Sequence, residues 1–327
     1  MTQSNDTIQY VYAKNGTAIP EYLCTVSICS LDYAQVEYLP SLAGNLIYLI
    51  IFAVLFIAQC FFGIRHKTWG FFVGMFCGIV LEVLGYAGRV MLHGDPFDFN
   101  SFLLYLIPLT IGPAFLSAAI YLCLGRIIMA YGPDSSRFQP KTYMFIFCGC
   151  DFFSLLLQSV GGAIAATAND KAGSDMGANI MVAGLAFQVF SLLVFIGLAG
   201  DYALRVHRAP KSNYQKFSEL RASKYFKYFK WSLAVATFAI LIRSIFRVIE
   251  LQSGFGGSVA NNEALFMIFE GPFVIIACFF LTICHPGLVF KGLWAESNWS
   301  LRGRKSAGKE SLDSEEGVVL SSYQQVK

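Results

Sequence analysis

Apolar residues in this chain gather in long blocks separated by short polar breaks, with neither the period-2 alternation of a half-buried strand nor a narrow amphipathic stripe. The blocks fall at about residues 41–62, 69–92, 102–130, 142–168, 177–203, 231–252 and 263–290. Each has the roughly 20 residues that an α-helix needs to cross a ~30 Å hydrocarbon core at 1.5 Å per residue. Residues 38–64, 99–125 and 176–200 contain no charged side chain. The pattern predicts an all-α, polytopic membrane protein with seven transmembrane helices over residues 41–290. An N-terminal polar segment (1–40) precedes the bundle and a polar tail (291–327) follows it. Residues 1–40 lack the roughly 7–15-residue apolar run of a cleavable signal peptide, so none is expected there.

Composition agrees with the block pattern. Of 327 residues, 56% are apolar and 14% charged, against about 25% charged in an ordinary soluble domain. Mean hydropathy is +0.56 and aromatic residues make up 16%. The net charge of +3 gives no basic footprint for nucleic acid. Seven of the nine Cys lie in apolar runs, where a thiol behaves as a small hydrophobe.

The cations outside the spans are strongly one-sided. The N-terminal segment has Lys14, the fourth loop Lys171, and the second and sixth loops none. The alternate segments carry Arg65 and Lys67, then Arg126, Arg137 and Lys141, then eight in the fifth loop between Arg205 and Lys230, and six more from Lys291 onward. The positive-inside rule therefore predicts the N-terminus outside and the C-terminus in the cytosol. The outer segment holds two glycosylation sequons, at Asn5 and Asn15, and two cysteines, Cys24 and Cys29, that can pair in an oxidising compartment. A third sequon, at Asn298, falls inside and is expected to be silent. In the fifth loop Tyr214, Phe217, Tyr225, Phe226, Tyr228, Phe229 and Trp231 interleave with cations. That composition reads either as a surface segment for anionic lipid or as a positive-inside loop entering an aromatic belt. The Ser-, Lys- and Glu-rich tail, with Ser311 and Ser314, is expected to be disordered.

Ionisable residues inside spans are costly and usually face the bundle interior or a polar path. Glu82 and Arg89 lie in span 2, Asp151 in span 4, Arg243, Arg247 and Glu250 in span 6, and Glu270 in span 7. Glu82, Tyr86 and Arg89 share a helix face at i, i+4, i+7, and Arg243, Arg247 and Glu250 repeat the spacing. Counting from the outer ends, Glu82 and Arg243 lie roughly 14 Å deep, Arg247 and Glu270 roughly 8–10 Å, and Arg89 and Glu250 roughly 3–5 Å. Asp151 lies in the inner half with no base at its depth. Two arrangements satisfy these depths: a polar cleft open to the outer leaflet, or a dry network pairing Glu82 with Arg243 and Arg247 with Glu270. Gln158, seven residues after Asp151, and Gln188 in span 5 extend a polar lining or bond a neighbouring backbone. Pro108, Gly112 and Pro113 in span 3 and Gly271-Pro272 in span 7 mark helix breaks.

Several chemistries lack their residues. There is no P-loop, too few histidines inside the spans for a multi-His zinc site, and no Lys in span 7 for a retinal Schiff base. The Asp-Arg-Tyr and Asn-Pro-x-x-Tyr signatures of rhodopsin-like receptors are also missing. No metal or cofactor is expected, and no enzymatic activity.

Eight short motifs fall in order on these spans. They are Tyr38-Leu-Pro-Ser with Asn45; Glu82-Val-Leu-Gly-Tyr-Ala-Gly-Arg89; Pro113-Ala-Phe with Ala118-Ala-Ile-Tyr121 and Gly125-Arg126; Asp151 with Gln158 and Gly161-Gly162; Gly184 with Gln188; Phe246-Arg-Val-Ile-Glu250; Glu263 with Glu270; and His285-Pro-Gly. Over residues 38–290 the chain resembles the fungal lipid-translocating exporters, a seven-span family named for aminocholesterol resistance that includes sphingoid long-chain-base exporters. Two positions depart from its pattern: Glu270 stands where the family has Asp, and Phe266 where an aromatic hydroxyl is common. The resemblance implies export or flipping of amphipathic lipids at the plasma membrane and resistance to membrane-active compounds. Glu82, Asp151, Glu250 and Glu270, with Tyr86, Gln158 and Gln188, would bind a cationic head or relay charge, and Arg89, Arg243 and Arg247 would be counter-ions. The alternative readings are a seven-span receptor or lipid-stress sensor, with a cytosolic partner at the fifth loop or tail, and a membrane enzyme using the carboxylates alone.

Overall fold

The computed structural model describes residues 10–20, 23–34, 36–132, 136–168, 170–208, 217–252, 257 and 259–294. The sequon at Asn5, the fifth-loop residues 209–216 and the tail from residue 295, with Ser311 and Ser314, lie outside them.

Seven helices among the described residues are long and apolar enough to cross a membrane. They are α1 (Leu42–His66), α2 (Trp69–Gly94), α3 (Phe99–Tyr131), α4 (Pro140–Thr167), α5 (Lys171–Arg208), α7 (Lys224–Gln252) and a seventh, interrupted unit. The short α6 (Ser218–Ala222) precedes α7, and the last span comprises α8 (Glu263–Phe269), α9 (Gly271–Ile283) and α10 (Pro286–Phe290). Helix is the form that leaves no backbone group unpaired in lipid, and the ends carry local signals. Ser41 and Asn262 cap α1 and α8 by accepting from Gly44 N and Leu265 N, while Asp98 caps α3 through Asn100 N and Ser101 N. Lys67 closes α1 in the left-handed region at φ 53°. On α1 the side chains of Ile47, Ile50, Val54, Ile57, Phe61 and Ile64 are all exposed, at alternating steps of three and four, which is a lipid-facing stripe.

The helices pack as a ring, α1–α2–α3–α4–α5–α7–α9 and back to α1, with α3 also touching α7. Residues 119–128 of α3 are buried on every side. Close approach depends on glycine at two seams. A Cβ on Gly88 of α2 would lie 2.7 Å from Tyr105 N on α3, and one on Gly177 of α5 would lie 2.6 Å from Gly161 O on α4. Small residues at membrane interfaces permit this backbone proximity.

Two features differ from the sequence expectation, a hairpin and a longer α7, and the Cys24–Cys29 pairing that the sequence left open is present. A hairpin, β1 (Tyr10–Tyr12) paired with β2 (Ala18–Pro20), stands on the N-terminal segment, where an Asn15–Gly16 turn supplies the geometry. Nearby, Cys24 and Cys29 are joined by a disulfide with Cα atoms 5.5 Å apart. The aromatic–cationic stretch at 224–231 is the first two turns of α7 and not loop: lipid-side Tyr225, Tyr228 and Trp231 are exposed, while Phe226 and Phe229 pack edge-on against Phe290. Amphipathic spacing within a cationic segment let the helix begin before the apolar block.

Candidate functional site

The charged residues of α2, α7 and the α8–α9 junction converge between those helices and α3. Glu82, Tyr86, Arg89, Arg243, Arg247, Glu250 and Glu270 are each at most 5% exposed. The convergence is therefore closed, and a cavity of about 20 Å³ touches it beside Arg247 and Glu250. That volume holds about one water.

The ion pairs differ from the depth-matched ones. Arg243 pairs with Glu270, through Nε at 3.1 Å and also through Nη2, and Nη2 donates to the carbonyl of Leu109 as well. Arg247 pairs with Glu250 on its own helix at 2.7 Å, its Nη2 donating to Thr110 Oγ1 at 3.2 Å. The reason lies in the backbone around the prolines: α3 runs on through Pro108, Gly112 and Pro113 without the break expected there, whereas the last span is interrupted at Gly271-Pro272. Pro113 has no N–H to donate to the carbonyl four residues earlier, so Leu109 O faces Arg243 instead. Gly271-Pro272 ends α8 at Phe269 and leaves Glu270 at the junction, within reach of α7. The hydroxyl of Tyr48 donates to Met267 O at 2.7 Å in the same interrupted stretch.

Arg89 has no carboxylate partner. Its Nε donates to Asn45 Oδ1 and its Nη2 to Tyr38 Oη, both at 3.0 Å, and its guanidinium lies 3.8 Å from the Phe266 ring centre. Tyr105 supplies a second ring at 5.2 Å. Aromatic faces stabilise a desolvated guanidinium by about 2 kcal/mol or more, so Phe266 and Tyr105 do part of the work of a counter-ion. Neither was legible as a partner, because a ring in an apolar block looks like core.

Glu82 is placed by Gly112 of α3, where a Cβ would sit 2.9 Å from Glu82 Oε1. Its electrostatic neighbours are Arg243, Glu270 and Arg247, yet no donor reaches Oε1. Five polar atoms of the cluster are buried without a protein partner: Glu82 Oε1, Tyr86 Oη, Arg89 Nη1, Arg247 Nε and Glu270 Oε2. Buried polar atoms are normally satisfied, so this concentration marks where a proton, water or ligand group would bind. With Arg89 held by its aromatic cage, the mutually interacting groups are Glu82, Glu250 and Glu270 against Arg243 and Arg247. Arg89 keeps its charge among those rings, so three carboxylates and three guanidiniums balance overall, and Glu82 is the carboxylate to which the described residues give no ion pair.

The remaining candidates lie elsewhere. Tyr121 of α3 donates to Asp151 Oδ2 at 3.0 Å, so the partner of Asp151 is a phenol, with Phe195 packed 4.5 Å from the Tyr121 ring. Gln158 donates to Ser154 Oγ at 2.7 Å and Gln188 Oε1 at 3.3 Å, and Ser154 bonds Gly184 O. These bonds stitch α4 to α5 and do not reach the charge cluster. No three His, Cys, Asp or Glu side chains among the described residues could hold a metal ion.

Three curated proteins of Saccharomyces cerevisiae are similar to this chain. The sphingoid long-chain base transporter RSB1 of strain Lalvin EC1118 is 31% identical over 305 residues, covering 85% of this chain and 79% of that protein. Protein RTM1 is 28% identical, covering 69% of this chain and 71% of its own length. Protein RTA1 is 27% identical, covering 65% of each. No solved structure matches the chain. The sequence profile described as RTA1 like protein matches residues 75–293, from within α2 through the last span. The chain is therefore a multi-pass membrane protein of the RTA1-like family, whose members include a lipid transporter.

Proposed function

We propose that this chain exports amphipathic lipids, sphingoid long-chain bases foremost, and that the buried charge cluster is where the lipid's amine is handled. The kinship with a protein named as a sphingoid long-chain base transporter carries the reading. The Glu82 carboxylate, which has no ion pair among the described residues, supports it, since an ammonium headgroup would supply one. In this reading the amine displaces a proton at Glu82 or Glu270, with Tyr86 beside them. Arg243 and Arg247 keep the other carboxylates paired, and Arg89 stays fixed among its rings. Asp151 with Tyr121 serves a second polar station nearer the basic face, and the Gln158–Gln188 seam beside it lies at the depth of Glu82. The alkyl tail remains in lipid, so only the head must cross a desolvated region. The N-terminus faces outward with a glycan at Asn15, the basic face lies in the cytosol, and the plasma membrane is the working location. Resistance to membrane-active compounds follows from the same removal of amphiphiles.

Release of labelled sphingoid base from cells making wild-type protein, Glu82→Gln or Glu270→Gln, at matched surface levels, tests this. Wild type is expected to speed release and both variants to abolish the gain. Equal release by wild type and variants would make the charges structural. No effect of wild type on any lipid would favour a sensor acting through a cytosolic partner.

A further inference from the structure

A large cavity lies away from the charge cluster. It measures about 1180 Å³ and lies between α3, α5 and α7 toward the basic face. Its origin is a splay of two helices. Near the opposite face Met181 and Leu185 of α5 pack with Leu251 of α7, but toward the basic face Phe195–His207 and Lys230–Phe238 diverge. From Phe195 to His207 the slot is about 18 Å long at helical rise, close to one leaflet of a ~30 Å hydrocarbon core. Its volume exceeds the roughly 300–1,000 Å³ of ordinary small-molecule pockets. The deep part is walled by apolar side chains, and exposed Phe238 and Trp231 stand at its lipid-side edge, so a chain can enter sideways.

The mouth has the opposite character. Lys230, Arg221 and His207 border it, and Asp201 and Glu219, the acids of α5 and α6 nearest in sequence to these cations, do not line it. Asp201 is engaged by Arg137 and Arg205 at 2.9 Å each. Lys230 Nζ donates to Tyr131 Oη at 2.6 Å and lies 5.1 Å from that ring's centre, and Arg221 lies 6.0 Å from the same centre.

We propose that this cavity is a binding site for a long-chain lipid with an anionic headgroup: the alkyl chain fills the slot, and a phosphate meets Lys230 and Arg221. The ligand class is opposite in charge to the amine assigned to the charge cluster, and the site is formed by different residues. The proposal is tested by binding, so it stands or fails independently of transport.

The full-length protein in phosphatidylcholine nanodiscs is exposed to three probes with the same diazirine-bearing alkyl chain, ending in a phosphate, an ammonium or a hydroxyl. After irradiation the labelled peptides are mapped. The phosphate probe is expected to label residues 195–207 and 230–238 preferentially, and excess inorganic phosphate is expected not to displace it. Gly200→Trp fills the slot, since a Cβ there meets nothing within 4 Å, and it is expected to abolish this labelling. Gly197→Trp adds the same bulk at a residue that also has open space but does not line the cavity, and it should leave labelling intact. Lys230→Met is expected to weaken the phosphate probe about fivefold and spare the hydroxyl probe, the effect of one cation near an anionic head. Labelling spread over α1 and α4 in proportion to exposure overturns the proposal. So does an ammonium probe that labels the slot as well as the phosphate, or a Gly200→Trp variant that labels normally.

Discussion

Replacing Arg243 tests the central geometric assignment, because its guanidinium serves two acceptors at once. In Arg243→Met the Glu270 carboxylate, 1% exposed, loses its ion pair, and Leu109 O loses the donor that Pro113 cannot replace. Breaking a buried pair by removing one member costs about 3–5 kcal/mol, and an orphaned carbonyl adds about 1–3 kcal/mol. Glu270→Gln leaves the guanidinium unpaired and costs about 3–5 kcal/mol by the same argument. The double variant removes both charges together, so most of the second penalty disappears and the coupling energy should exceed about 2 kcal/mol. An ordinary interhelical hydrogen bond in a membrane averages only about 0.6 kcal/mol, so the magnitude separates an ion pair from a polar contact. The assay is an unfolding titration of purified protein from mild detergent into dodecyl sulfate, with all four proteins measured in parallel. Coupling near zero for Arg243 with Glu270, and large coupling for Arg243 with Glu82, would refute the pairing and restore the depth-matched one.

Gly177→Leu should destabilise by more than the about 1–3 kcal/mol of ordinary overpacking, because the contact is with the backbone of α4, while Gly149→Leu, where a Cβ meets nothing within 4 Å, should be tolerated; yield and thermal stability in detergent separate the two. Asn15 sits exposed at the hairpin turn, its Oδ1 accepting from Thr17 N and Oγ1. Asn15→Gln should therefore remove one glycosidase-sensitive mobility shift, whereas Asn298→Gln should change nothing; an unglycosylated wild type would contradict the outward N-terminus. Asp98 caps α3, and hydrogen bonds from the Ser101 hydroxyl and amide hold its carboxyl below the usual range. A depressed folded pKa gives stability that is present above the unfolded value, near 4, and lost as pH falls through the lowered one. Amide exchange in the first turn of α3 should therefore speed up below about pH 4 beyond its intrinsic rate, and Asp98→Asn should flatten that dependence.

The bundle was legible because bilayer crossing imposes a length and a polarity on each segment that no packing detail can override. Residues 69–92 and 102–130 became α2 and α3 with only their ends extended, by caps at Asp98 and Gly132. The identities of the buried charges were legible for the same reason, since an Arg in the middle of α7 has few explanations. Their partners were not. Depth along a helix fixes one coordinate, whereas pairing also needs rotation and the local path of the neighbouring backbone. Here Pro113 and the Gly271-Pro272 break decided it by turning Leu109 O and Glu270 toward Arg243, leaving Arg247 to the glutamate three residues on. Aromatic support for Arg89 was hidden because Phe266 and Tyr105 have the composition of core. The splayed slot was hidden more deeply still: its walls are the same Leu, Ile, Ala and Phe that elsewhere fill the bundle. Only the divergence of α5 from α7, set by where their opposite ends pack, turns those side chains from core into lining.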